Sequence, residues 1–180
     1  MSAPFAQASE IELFSPRVTH EGGQYLVEMA AMLPLEREVL FAAVTDYDHL
    51  DRISTSILSS KSLGLLDNGA TELQVKMKVC VLLVFCPTFQ QTQEVVGHRP
   101  AKLDAVIPAR AKNLFEGTAH WEFLSEGEGT IIKFESTLTP LFWVPPWIGP
   151  SLIQSVLTKE SDRVLAGLSA LHEHEKSASR

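Results

Sequence analysis

Asp67-Asn68-Gly69-Ala70-Thr71-Glu72-Leu73-Gln74-Val75-Lys76-Met77-Lys78-Val79 is the stretch whose reading decides the fold. Asn68 and Gly69 tolerate positive φ and mark a hairpin turn. After the turn, Leu73, Val75, Met77 and Val79 point one way while Gln74, Lys76 and Lys78 point the other. That period of two is the mark of a strand with one buried face. The partner strand is Ile57 to Leu66, on the other side of the turn. Downstream, a single strand from Thr71 to Val96 would be far too long, so a second turn must interrupt it. Centring that turn on Leu83 pairs Lys78 with Thr88, Met77 with Phe89, Val75 with Gln91 and Leu73 with Gln93, and keeps both faces consistent. It also sets Cys80 opposite Cys86. In one straight strand those cysteines would lie about 20 Å apart, beyond any bridge, but across a hairpin a disulfide is feasible.

The same alternation extends in both directions. Tyr25, Val27, Met29, Ala31 and Leu33 share one face of Gln24 to Leu33, with Glu28 opposite. Leu103, Ala105 and Ile107 alternate with Lys102 and Asp104. Ala119, Trp121 and Phe123 oppose His120 and Glu122, and Ile132, Phe134 and Ser136 oppose Lys133 and Glu135. Gly-rich turns at Gly97 to Pro100 and Glu126 to Gly129 separate these segments. After Leu33, Pro34 suits a helix start, with Glu36 and Glu38 at the positive end of the helix dipole, so Leu35 to Thr45 reads as helical. A second short helix is expected over Asp48 to Ser54, with Leu50 and Ile53 inward. Prolines 140, 145, 146 and 150 break the chain before Ser151 to Glu173, where Ile153, Leu157, Val164, Leu168 and Leu171 form one apolar stripe at about 100° per residue.

The order is therefore strand, two short helices, six strands, long helix. Consecutive hairpins make an antiparallel sheet of about seven strands in the α+β class, and its apolar face must be covered. The terminal helix is the one element long enough to do so. The expected organisation is an N-terminal extension over 1–21, a ligand-binding domain over 22–174 and a disordered tail over 175–180.

Composition narrows the functional classes. The net charge of −7 argues against a nucleic-acid partner, which favours a basic face, and gives no pull toward anionic lipid. No run reaches the roughly 18 to 20 apolar residues of a membrane helix. Ala6-Gln7-Ala8 has the small-x-small form of a signal-peptidase site, so residues 1–8 are either the remnant of an export signal or a chance match. The catalytic sequence patterns fit poorly: there is no Gly-x-Ser-x-Gly elbow, phosphate-binding glycine loop or His-Glu-x-x-His. No His or Cys spacing reads as a metal site, and no cofactor is implied. His120 falls on the polar face of its strand and reads as a surface histidine.

Val44-Thr45-Asp46-Tyr47-Asp48-His49-Leu50 and Phe142-Trp143-Val144-Pro145-Pro146-Trp147-Ile148-Gly149-Pro150, taken with the element order, resemble the START and Bet v 1-like (SRPBCC) superfamily, including polyketide cyclase-like and coenzyme Q-binding-like bacterial proteins. The first looks like that superfamily's helix-to-helix junction and the second like its approach to the terminal helix. The resemblance covers about Gly22 to Glu173. It implies a helix-grip fold, in which a curved sheet wraps a long C-terminal helix, and the binding of an apolar molecule between them.

One helix does not usually fill a seven-stranded sheet, so a hollow of several hundred Å³ is expected. Its candidate lining is Tyr25, Met29, Val75, Met77, Phe89, Gln91, Leu103, Ile107, Trp121, Phe123 and Phe134 from the sheet, with Ile153, Leu157, Glu160 and Val164 from the helix. Gln91 and Gln93 are the polar members of the inward set, and either hydrogen-bond a ligand's polar end or reach water at the mouth. Glu160 falls within the helix's apolar stripe, where it would bind a ligand hydroxyl or serve as an acid, unless it extends from the stripe's edge into solvent. Arg110 and Lys112, near the mouth, either meet an acidic head group or belong to a solvated loop. Leu82, Leu83, Val84 and Phe85 make the hairpin tip apolar, which suits a lid or a transient membrane contact; Trp143 and Trp147 are further interfacial candidates.

Three functions follow. The first is a carrier of a lipid, sterol or isoprenoid/quinone-like molecule. The second is a polyketide cyclase or dehydratase using Glu160 or Tyr25, and the third a protein-interaction module acting through the apolar tip. A Cys80–Cys86 bond would suit an oxidising compartment, the periplasm; two reduced thiols would suit the cytoplasm.

Overall fold

The structure is a computed structural model that describes residues 12–78, 80, 86–110, 113–141, 143 and 147–178, without the side chains of 12–16, 157, 161, 169 and 171–178. The apolar hairpin tip Leu82, Leu83, Val84 and Phe85, the Ala6-Gln7-Ala8 stretch, Lys112 and the side chain of Leu157 lie outside the described residues.

The elements are β1 (Glu12–Glu21), β2 (Gln24–Leu33), α1 (Arg37–Thr45), a 3-10 turn (Leu50–Arg52), β3 (Ile57–Leu65), β4 (Thr71–Lys78), β5 (Thr88–His98), β6 (Lys102–Ile107), β7 (Phe115–Glu126), β8 (Gly129–Pro140) and α2 (Gly149–Ala178). Every neighbouring pair is antiparallel, in the order β1-β2-β8-β7-β6-β5-β4-β3. The connection from β2 to β3 crosses from one side of the sheet to the other and carries α1 and the 3-10 turn with it.

Four sequence expectations need correction. The sheet has eight described strands rather than about seven, because part of the N-terminal extension is β1. Pro16 breaks the alternation there, and the β1–β2 register shifts between Phe14 and Arg17. A proline that cannot donate to a ladder is tolerated at such a bulge on an edge strand, and β1 is an edge. The Gly22–Gly23 turn joins β1 to β2 with φ of 59° and 85°, left-handed values that glycine adopts without strain. The second helix is a single 3-10 turn. The tail is helical through Ala178, and α2 begins earlier than expected, at Gly149, because Pro150 occupies a first-turn position where its missing N–H costs nothing.

The β4–β5 register matches the sequence reading residue for residue: Leu73 with Gln93, Val75 with Gln91, Met77 with Phe89 and Lys78 with Thr88. Beyond it, Cys80 and Cys86 are joined by a disulfide.

The buried core joins both helices to the inward face through Leu33, Leu40, Phe41, Phe123 and Leu168, and continues across the sheet through Leu103, Ala105, Ala119, Val95, Leu73 and Val75. Phe41 of α1 sets its ring edge-to-face on Phe123 of β7, centroids 5.6 Å apart. Thr130, fully buried, donates to the Leu35 carbonyl at 2.7 Å and so fastens the run into α1 onto β8.

Candidate functional site

Pairing registers sort the inward side chains into rows that cross the sheet. Met29, Phe134, Trp121 and Leu103 form one row. Val27, Ser136, Ala119, Ala105 and Val95 form the next, toward the end where β7 begins and β8 ends. The second row is built largely of small residues, so the face dips there. Beyond it lie Tyr25, Leu138, Gly117 and Ile107. Val75 and Gln91, then Met77 and Phe89, continue the inward face across β4 and β5.

These side chains are not equally covered. Val75, Leu103 and Phe123 are buried within the core, so the sequence assignment of Phe123 to a cavity wall is corrected: with no exposure at all and Phe41 on its ring, it is core. Ile107 and Tyr25 are also buried. Tyr25 packs against His20 of β1, ring centroids 4.5 Å apart, and burial pushes its hydroxyl above the usual tyrosine range. In contrast, Met29, Met77, Phe89, Gln91, Gln93, Trp121, Phe134, Ile153 and Val164 remain partly exposed although they face inward or sit on the helix stripe. Trp121 and Phe134 lie side by side with centroids 5.1 Å apart.

Helix α2 is held at its flank. The Ser54 hydroxyl bonds Glu160 Oε1, and Arg163 Nη1 reaches Ser56 Oγ at 2.6 Å and Glu160 Oε2 at 3.4 Å. Ser54 and Ser56 are buried, and buried hydroxyls require such partners. Lower on the helix, Gly167 sits so close to the 3-10 turn that a Cβ there would lie 2.4 Å from the Ile53 carbonyl oxygen. Glu160 is therefore a clasp to the segment after the 3-10 turn, its carboxylate engaged by Ser54 and Arg163. Ser54, Ser56 and Arg163 were missed by sequence reading. The Glu160-x-x-Arg163 spacing was visible as a helical pair, but its buried serine partners stand more than a hundred residues away in the chain.

Two other polar candidates, Arg110 and His120, are already paired. Arg110 bridges Glu72 and Glu94 on the outer face. Asp104 binds both His120 and His98, the latter at 3.4 Å, so His120 is a surface histidine in an ion-pair cluster. Among the described residues no cluster of His, Cys, Asp and Glu could hold a metal ion, and no helix is long and apolar enough to cross a membrane. A cleft of about 480 Å³ opens elsewhere, on the flank formed by α1, the 3-10 turn and Leu168 of α2, with Val39, Ala43, His49 and Ile53 among its lining. It is distinct from the expected hollow.

A curved antiparallel sheet, a two-element crossover after β2 and a long terminal helix together define the helix-grip fold of the START and Bet v 1-like superfamily, and the chain has that fold. Solved structures similar to it include a START superfamily protein from Mycobacterium smegmatis (TM-score 0.65, 12% identity, 81% of this chain and 98% of that one). Human STARD10 is also similar (TM-score 0.62, 10% identity, 91% of this chain and 76% of that one). So is the Zhui aromatase/cyclase from Streptomyces sp. R1128 (TM-score 0.64, 10% identity, 83% of this chain and 94% of that one). No family model matches the sequence, and no curated protein matches it.

Proposed function

We propose that this protein binds and carries a hydrophobic small molecule between the inward face of the sheet and α2. The observation that carries this reading is the unequal covering of that face. Met29, Trp121 and Phe134, large apolar groups that gain free energy by leaving water, stay partly exposed in the middle of that face, while Ala31 and Phe123 on one side and Val27, Ala105 and Ala119 on the other are buried. An apolar guest would cover the exposed three. Gln91 and Gln93 would meet its polar end, and a chain or ring system of the lipid, sterol or isoprenoid/quinone type has that distribution of polarity. The Cys80–Cys86 bond supports an oxidising compartment such as the periplasm.

Native mass spectrometry of protein purified from cells, followed by organic extraction, tests the proposal. A stoichiometric apolar adduct is expected, and it should be lost in Trp121→Ala/Phe134→Ala. Protein that is bare and also fails to take up a fluorescent fatty acyl or sterol probe would end the carrier reading.

The likeness to an aromatase/cyclase keeps a cyclase or dehydratase as the second reading. Against it stand the two residues best suited to proton transfer: Glu160 is engaged by Ser54 and Arg163, and Tyr25 is packed on His20. A Glu160→Gln variant that still binds a polyketide-like substrate but no longer turns it over would favour the enzyme.

A further inference from the structure

Residues 136–158 contain no Asp, Glu, Lys, Arg or His, 23 consecutive positions in a chain where 21% of residues are charged. The stretch runs from the last residues of β8 into α2, and even the first turn of α2 carries no acidic residue, although a carboxylate there would be stabilised by the helix dipole. At its centre the side chains stand out from the protein. Trp143 and Trp147 are 75% and 77% exposed, and Leu141 and Ile148 are 43% and 46% exposed. The two indoles meet edge to face with centroids 6.4 Å apart. Two mutually packed tryptophans with a leucine and an isoleucine beside them form an apolar patch of the kind that soluble surfaces rarely leave uncovered.

Its place in the sheet matters. Pro140 pairs with Phe115, and Lys78 pairs with Thr88. By the antiparallel order, the end of β8, the start of β7, and the base of the β4–β5 hairpin with its Cys80–Cys86 bond all lie at one end of the sheet. That end is opposite the one where Phe41 meets Phe123.

We infer that this tryptophan patch docks the protein on the surface of a zwitterionic lipid bilayer, with the end of the sheet where β8 finishes turned toward the membrane. Three features select lipid. Indoles settle at the boundary between hydrocarbon and water because the ring is apolar and the N–H is wet. A protein interface carries a polar rim around its apolar centre, whereas none of the residues of this stretch is charged. The stretch itself also has no Lys or Arg for anionic headgroups, and the chain as a whole carries −7, so net charge gives no attraction to an acidic membrane and a neutral surface is the electrostatic match. The inference deepens the carrier reading, since an apolar cargo must leave or enter through a membrane, but docking is measurable without any cargo.

The test is flotation of the full-length protein with phosphatidylcholine vesicles, with and without phosphatidylglycerol, alongside the tryptophan emission shift on vesicle addition. The wild type should float with pure phosphatidylcholine and show a blue shift. Trp143→Ser/Trp147→Ser should lower partitioning about tenfold or more and abolish most of the shift, leaving the signal of Trp121. Ile148→Glu, a single change at an exposed position, gives a second variant that should act in the same direction; unaltered circular dichroism and melting establish that both variants fold. Equal flotation of wild type and both variants would overturn the inference. So would binding that requires phosphatidylglycerol, or a patch whose loss changes only self-association in sedimentation. Cargo retained on the tryptophan variant separates the two claims: docking can fail while native mass spectrometry still shows a bound molecule, and docking can hold in a protein that carries none.

Discussion

The two ends of the inward face are built from the same alternating strands and differ in how completely they are covered. At one end, Leu33 and Phe123 are almost wholly buried with Leu40 and Phe41 of α1 and with Leu168. Toward the other, Met29, Met77, Phe89, Trp121 and Phe134 point the same way and keep partial exposure, although Val27, Tyr25 and Ile107 among them are buried. The difference lies in what stands above the sheet. α1 comes close to β7 and β8, whereas among the strands α2 keeps closest to β1, held by its Ser54, Ser56 and Ile53 contacts. One end therefore holds the fold together, and the other is less completely covered among the described residues.

The largest expected effect tests that division directly. Phe123→Ala removes a fully buried ring and should cost about 3–5 kcal/mol in denaturant unfolding. Phe134→Ala, one row away and partly exposed, should cost only about 1–2 kcal/mol, because less apolar area returns to water, while it lowers retention of an apolar ligand. Equal costs would erase the distinction between the ends.

Next in size is the disulfide. Closing so short a loop constrains the unfolded chain by about 2 kcal/mol, so reduction, or Cys80→Ser/Cys86→Ser, should lower the unfolding midpoint accordingly. Hydrogen exchange should show the loss concentrated in β4 and β5 near Lys78 and Thr88, with the α1–β7 contacts unchanged. Comparable in size is Gly167→Ala. A methyl group 2.4 Å from the Ile53 carbonyl oxygen must push α2 from the 3-10 turn, at about 1–3 kcal/mol. Faster amide exchange in the middle of α2 would accompany it. Glu160→Gln keeps shape and removes charge from the clasp, so about 1 kcal/mol in a thermal melt is expected.

Local rules carried much of the fold into the sequence. The Asn68-Gly69 turn and the alternation of Leu73, Val75 and Met77 fixed the β4–β5 register, and the register brought Cys80 to Cys86, because a hairpin is decided by residues near each other in the chain. β1 escaped because Pro16 interrupts its period, and the pattern shows itself only once the bulge is allowed for. Which inward residues line a hollow was much less legible. Alternation tells Phe123 and Phe134 alike to face inward, but only the distant placement of Phe41 decides that the first is sealed. The role of Glu160 was hidden for the same reason: its stripe position follows from its own helix, and its tie to Ser54 does not.

The smallest effect compares the ends through the chain's two tyrosines. Tyr25 lies beyond the row of small side chains, and Tyr47 packs beside the core at the sealed end. Burial raises both hydroxyls above the ordinary value, and for Tyr47 the nearby Arg99 acts in the opposite direction. The folded state therefore favours the neutral phenol of each. Stability from this source is complete below the unfolded tyrosine value of 10.0 and is lost as pH rises through the higher folded values. Unfolding free energy should decline on the alkaline side, with tyrosinate absorbance appearing later in folded than in denatured protein. Tyr25→Phe removes its share of that decline and leaves Tyr47's. If the alkaline limb were unchanged by Tyr25→Phe, the Tyr25 hydroxyl would be reaching water, and the open region would extend past His20 to the β1 edge of the sheet.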